Sequence, residues 1–254
     1  MSRWAAAATV VLLLATTGTA CGADAEGSSG SKTLTVYAAA SLTSSFEGIG
    51  KRFEADHEGV QVRFSFGGSS DLVAQLQQGA PADVFASADT ANMKKATADD
   101  LVEGDPVDFA TNTLEMAVPP DNPAGVASLD DLADPGTKVV VCAAEVPCGA
   151  AAQELEKAAS INIKPVSEEQ SVTDVLNKVT TGEADVGLVY VTDVQAAGDR
   201  VKGIEFPESA SVVNTYPIGP LADSEHKELA QEFVDLVIGD TGQQVLADAG
   251  FAKP

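Results

Sequence analysis

The chain has 254 residues, 44% of them hydrophobic, 21% charged and 5% aromatic, and its 15 basic against 38 acidic residues give a formal net charge of −23. That length and apolar content can fill one large core or two smaller ones, which excludes disorder as the state of the bulk of the chain. Acidity on this scale excludes a nucleic-acid partner, because no Lys/Arg surface is available to displace counterions from phosphates; its ordinary role is solubility.

The first segment, "MSRWAAAATVVLLLATTGTAC", carries a basic Arg3, an apolar stretch from Trp4 to about Thr16, and small residues before Cys21. This pattern predicts a secretory signal over residues 1–20, too short for a membrane span, which needs about 20 apolar residues. The cysteine after Thr19 and Ala20 resembles the lipobox of bacterial lipoproteins, which implies lipidation of Cys21. Ordinary cleavage near Ala20 is the alternative. Residues 21–31 then read as a flexible Gly/Ser tether. An extracytoplasmic location favours a disulfide between Cys142 and Cys148 of "VVVCAAEVPCG" over two separate thiols. A zinc or iron–sulfur site is not expected, since the other candidate ligands, His57 and His226, lie far apart in sequence.

From residue 33 onward, strand and helix signals alternate. "TLTVYAAA" reads as a buried strand, and Leu42, Phe46, Ile49 and Phe53 then recur at helical spacing, capped by Ser41 or by a Ser44–Glu47 box. "GVQVRFSF" predicts a strand, Gly67–Gly68 a turn, and "SSDLVAQLQQ" a helix closed by Gly79. "ADVFASA" and "DTANMKKAT" repeat the pair. After Asn112 come a strand "NTLEMAVPP", a short helix "SLDDL", a strand "KVVVCA", and the helices "AAQELEKAA" and "SVTDVLNKVTT". "ADVGLVYVTDVQAAG" gives one more strand and helix, and "SVVNTYPIGPL" runs back. Two helices close the chain, the last opening on an Asp240–Gln243 capping pattern. Such alternation indicates a largely parallel sheet; pattern alone fits one doubly wound domain as well as two α/β sets.

Five segments, "VYAAASL", "GAPADVFASAD" (79–89), "EVPCG" (145–149), "GEADVGLVYVTD" (182–193) and "AGF" (249–251), resemble the periplasmic molybdate-binding proteins of ABC transporters, in that family's order and over about residues 34–251. The resemblance implies an α/β, two-lobed periplasmic-binding-protein type II fold with a ligand cleft between the lobes. Lobe I would hold residues 32–112 and the return 214–254 with its C-terminal helices, lobe II residues 113–213, and the hinges would lie near Asn112–Leu114 and Asn214–Pro217. It implies a ligand, molybdate or tungstate, bound as an oxyanion without protein–metal bonds, and no cofactor. The implied contacts are Ser41 and Ser69 through hydroxyl and backbone N–H, Cys148 and Val172 through backbone N–H, and Tyr190 through its phenol, with Ser70 as the alternative to Ser69. The implied partners are a membrane permease with a cytoplasmic ATPase, the protein itself being a monomer and not an enzyme.

Elementary chemistry points the same way. A strand that enters a helix at a small residue leaves unpaired N–H groups at the helix start, where the dipole also favours an anion. Ser41 and Ser69 are two such junctions; "VPCGAA" and "QSVTDV" are two more. None of these contacts is Lys or Arg, so neutral donors would have to bind a dianion, each charge-assisted bond contributing about 1.5–3 kcal/mol. Donors alone favour a fully deprotonated oxyanion over phosphate, and a cavity cut for longer bonds rejects sulfate. Taken singly, Ser41 and Ser69 read as helix caps, Tyr190 as a core aromatic, Val172 as an ordinary helix residue, and Asp83 and Asp89 as turn and cap residues. A hydrolase is disfavoured, since no G-x-S-x-G occurs and neither histidine sits in a recognisable motif.

Overall fold

A computed structural model describes residues 31–254. The leader, Cys21 and all of the tether before Ser31 lie outside the described residues. Among those described, no helix is long and apolar enough to cross a membrane.

The strands are β1 (Lys32–Ala39), β2 (Val60–Gly67), β3 (Val84–Ala86), β4 (Val107–Val118), β5 (Val139–Cys142), β6 (Ser167–Glu169), β7 (Val186–Tyr190), β8 (Lys202–Ile204) and β9 (Val213–Pro220). The helices are α1 (Thr43–Asp56), α2 (Ser69–Gln77), α3 (Thr90–Ala98), α4 (Pro147–Ala159), α5 (Val172–Thr180), α6 (Val191–Ala197), α7 (Lys227–Ile238) and α8 (Asp240–Asp248). Strand order is β2-β1-β3-β9-β4-β7-β5-β6, with β8 beside β4. β1 pairs in parallel with β2 and β3, and β5 in parallel with β6 and β7, whereas β9 and β4 run antiparallel to their neighbours. Parallel pairs need helical crossovers that cover both faces, which is why β3 (VFA), β5 (VVVC) and β7 (VGLVY) are apolar and buried throughout rather than alternating.

One strand joins the two ends of this sheet. Residues Val107–Thr113 of β4 pair with β9, Asn112 opposite Asn214, while Leu114–Ala117 pair with β7. The change of partner between Thr113 and Leu114 separates two cores. One draws on residues between Leu34 and Ala110 and again between Tyr216 and Phe251; the other lies wholly between Leu114 and Val212. In the first, Phe46 meets Phe109 at 5.9 Å and Phe233 at 6.0 Å between ring centroids, and Phe53 meets Phe233 at 5.5 Å. The helical spacing of Phe46, Ile49 and Phe53 directs all three side chains to this core.

Two capping expectations are overturned. A 3₁₀ turn, Ala40–Leu42, precedes α1, so Leu42 occupies its N-cap without any side-chain hydrogen bond, and the Ser41 hydroxyl is engaged elsewhere. At α8, Gly239 is the N-cap. The Gln243 side chain instead donates to the Phe109 and Val237 carbonyls, tying α8 to β4 and α7. In both cases a tertiary partner outcompetes a local cap. Asp89 does serve locally, capping α3 by accepting from Asn92 N–H at 2.7 Å, whereas Asp83 accepts from Thr35 N–H and the Ser224 hydroxyl, distant in sequence, and ties segments together rather than fixing a turn.

Candidate functional site

Ser41, Ser69, Cys148, Val172 and Tyr190 converge on one small cavity of about 10 Å³, whose wall also includes Ala40, Gly67, Gly68, Ala88 and Val146. Ser70 is not part of that wall. That volume is of the order one water-sized sphere needs, so the site suits a compact ligand and excludes sugars, peptides and other extended solutes. A roomier groove of about 380 Å³, lined by Leu76, Asp223 and His226 among others, lies on the face formed around β1 and β9 and contains none of the five.

Each wall residue is placed by a strand-to-helix junction. Ser69 begins α2, Cys148 lies in the first turn of α4, Val172 begins α5, Tyr190 ends β7, and Ser41 lies in the turn between β1 and α1. The bonds closing the first helical turns leave the wall N–H groups out. Asp71 and Leu72 donate to Gly68 O, Gly149 and Ala150 to Val146 O, and Asp174 and Val175 to Ser171 O. The starts of three helices, at Ser69, Cys148 and Val172, therefore line one cavity with N–H groups left over, and helix dipoles favour negative charge there.

The hydroxyls are arranged as carefully. Ser69 is fully buried, and its Oγ accepts from Ala88 N–H at 3.0 Å, so the hydroxyl hydrogen remains available to donate. Ser41 Oγ lies 3.0 Å from the Tyr216 phenol oxygen. Tyr190 Oη is buried with no hydrogen-bond partner. An unpaired buried hydroxyl costs about 1–3 kcal/mol, which is tolerable where the group is kept for a ligand. Burial, reinforced by Tyr216 and Asp193, holds the Tyr190 phenol far above its ordinary range, so it is a donor at every physiological pH. Behind it, Asp193 accepts from Tyr190 N–H at 2.9 Å, and burial pushes its carboxyl up to about 7 despite that bond. Among the described residues, no charged side chain lines the cavity.

Cys142, the last residue of β5, is joined by a disulfide to Cys148, with Cα atoms 5.6 Å apart. The bridge fixes the start of α4, and with it the Cys148 N–H, against the sheet. Two glycines allow the close approaches the wall requires. A Cβ at Gly68 would overlap the Gln170 carbonyl oxygen, and one at Gly149 would overlap the carbonyls of Cys142 and Ala143.

The profile of the bacterial extracellular solute-binding proteins matches residues 34–252. This chain belongs to that family. Among its relatives, the molybdate-binding protein ModA of Mycobacterium tuberculosis is 48% identical over 241 residues, covering 92% of each chain. Of solved structures, the substrate-binding domain of a putative molybdenum ABC transporter from Clostridium difficile is 30% identical, with a TM-score of 0.65 over 88% of this chain and 100% of that one. The Azotobacter vinelandii periplasmic molybdate-binding protein, 21% identical, shares the fold with a TM-score of 0.77 over 87% of this chain and 99% of that one. The chain thus has the mixed α/β fold of a periplasmic solute-binding protein.

Membership in the solute-binding family fits a small cavity walled by helix starts and hydroxyl groups. Several residues that build it escape a reading of the sequence. Ala88 sits in the motif "FASAD", but nothing in that motif shows that its N–H holds Ser69. Tyr216 and Asn112 are buried in β9 and β4, and their pairing with Ser41 and Thr192 spans 175 and 80 residues of sequence. Strand patterns do not encode separations of that kind.

Proposed function

We propose that this protein is the extracytoplasmic substrate-binding component of an ABC importer and captures molybdate as an intact oxyanion. The observation that carries this is the donor set: three helix starts, the Ser69 hydroxyl whose oxygen already accepts from Ala88 N–H, the Ser41 hydroxyl beside Tyr216, and the partnerless Tyr190 phenol surround a cavity that no charged side chain among the described residues lines. Such a site is matched to a small anion that only accepts hydrogen bonds. Ser41, Ser69, Cys148, Val172 and Tyr190 are the contacts in this reading. Tungstate, of nearly equal size and charge, binds as well.

In this reading residues 32–112 and 214–254 act as one lobe and 113–213 as the other, hinged where Asn112 faces Asn214. Cys21 carries a lipid that holds the protein at the outer face of the membrane, as a monomer, beside a permease driven by a cytoplasmic ATPase. No catalytic step is assigned. The hydroxyl of Ser41 meets Tyr216 and that of Ser69 meets a backbone N–H, while His57 is bonded to Glu232 on the surface. Calorimetric titration with molybdate, tungstate, sulfate and phosphate tests the reading. One-to-one binding of the first two, with sulfate and phosphate far weaker, is expected. Preferential sulfate binding would move the protein to a sulfate uptake system, and no heat with any of the four would remove the assignment.

A further inference from the structure

We infer that Asn112 and Tyr216, neither of which lines the cavity, set which way the Ser41 hydroxyl points and so act as positioning residues for anion selectivity. This rests on the reading of the cavity as an oxyanion site. The Thr113 amide is a group whose hydrogen is fixed. The Thr113 backbone N–H donates to Asn112 Oδ1 at 3.0 Å, which identifies the oxygen of that side-chain amide. Asn112 Nδ2 is then a donor only, and it reaches Thr192 Oγ1 at 2.8 Å and Tyr216 Oη at 3.4 Å. With its oxygen accepting from Asn112, Tyr216 has one hydrogen left to give; of the two hydroxyls beside it, Ser41 Oγ at 3.0 Å meets hydrogen-bond geometry and Tyr190 Oη does not. Ser41 accepts that bond, and its own hydrogen is released toward the cavity.

Direction is thereby passed along a buried chain: backbone amide to Asn112, Asn112 to Tyr216, Tyr216 to Ser41, Ser41 to ligand. Asn112, Tyr190 and Tyr216 are almost completely buried and Ser41 nearly so, which leaves little water to reset the chain. The same logic operates independently at Ser69, whose oxygen accepts from Ala88 N–H. Both serines are thus held as donors. An anion that carries a proton of its own, as phosphate does near neutral pH, meets a donor opposite its O–H. A fully deprotonated oxyanion does not.

Asn112→Asp reverses the chain with almost no change of shape. A carboxylate at 112 accepts from Thr113 N–H and from Tyr216, so Tyr216 no longer donates to Ser41. Ser41 then gives its hydrogen to Tyr216 and presents only lone pairs to the cavity. The expected result, by calorimetry on the purified protein, is a loss of molybdate affinity of roughly 10- to 100-fold, with phosphate losing less or gaining. The molybdate-to-phosphate ratio therefore narrows. In a Ser41→Ala background the same substitution should leave the ratio unchanged: the added charge repels both dianions alike, and the group that tells them apart is gone. Tyr216→Phe, which keeps the ring against Tyr190 and Phe251, is the second variant and serves if a carboxylate at 112 prevents folding; it should also narrow the ratio, and only when Ser41 is present. An unchanged ratio in the variants, or an equal narrowing of the ratio with and without Ser41, overturns the proposal while leaving the function standing. A wild-type protein that binds no oxyanion removes the functional reading and this proposal with it.

Discussion

The two halves that meet at the cavity equip it differently. The half built on β1, β2, β3 and β9 packs around Phe46, Phe53, Phe109, Tyr216 and Phe233 and offers serine hydroxyls, each with its oxygen already engaged by a neighbour in the same half. The half built on β5 and β7 packs mainly around Val, Ala and Leu. It offers backbone N–H groups at two helix starts, one braced by a disulfide, together with a phenol that has no partner. One side is preorganised by hydrogen bonds, and the other by covalent and backbone geometry. Rigid aromatic packing suits a wall whose side chains must hold one orientation. Helix starts need only the backbone, so a core of small aliphatic residues suffices there.

Substitutions on the two sides should separate these roles. The largest effect is expected from Ser41→Ala combined with Ser69→Ala, which removes two charge-assisted donors and should weaken molybdate binding by about 3–6 kcal/mol, read by calorimetry. Asp193, behind Tyr190, gives a pH signature. Its folded-state value of about 7 stands above the ordinary 3.8, so between those values the folded protein holds a proton that the unfolded chain has lost. Stability from this group is therefore full below about pH 4 and falls as pH rises to about 7, by up to about 4 kcal/mol. Asn at 193 can still accept the Tyr190 N–H bond. Asp193→Asn should flatten that decline in denaturation curves recorded from pH 4 to 8.

Tyr190→Phe should move affinity and stability in opposite directions. Binding falls by about 1.5–3 kcal/mol, while thermal unfolding shifts upward or stays level, because the orphaned hydroxyl is gone. An equal loss of both would mean that Tyr190 is a packing residue. Smallest is the disulfide. Closing a loop with a sequence separation of 6 contributes about 2 kcal/mol in the chain-entropy account. Cys142→Ser with Cys148→Ser should lower the melting temperature accordingly and weaken binding only several-fold, through a looser start of α4.

Much of this was legible in the sequence, for identifiable reasons. Phe46, Ile49 and Phe53 announce their helix by spacing, Gly79 and Gly182 mark helix ends with positive φ, and the five cavity residues stand at strand-to-helix junctions within motifs. What stayed hidden is tertiary. Ser41 reads as a cap because a serine before a helix usually is one, yet Tyr216, 175 residues away, takes its hydroxyl. Asp240 and Gln243 resemble a cap, yet the Phe109 carbonyl draws Gln243 away. The partner switch along β4 is invisible because nothing in "TNTLEM" distinguishes the residues facing β9 from those facing β7.

Anomalous diffraction at the molybdenum edge, from crystals grown with molybdate, tests directly whether the cavity holds the anion. The account expects a single peak in the cavity, with oxygens within hydrogen-bond reach of Ser41 Oγ, Ser69 Oγ, Tyr190 Oη and the N–H groups of Cys148 and Val172. A peak in the groove beside Asp223 and His226, or one bonded directly to protein carboxylates, would contradict it.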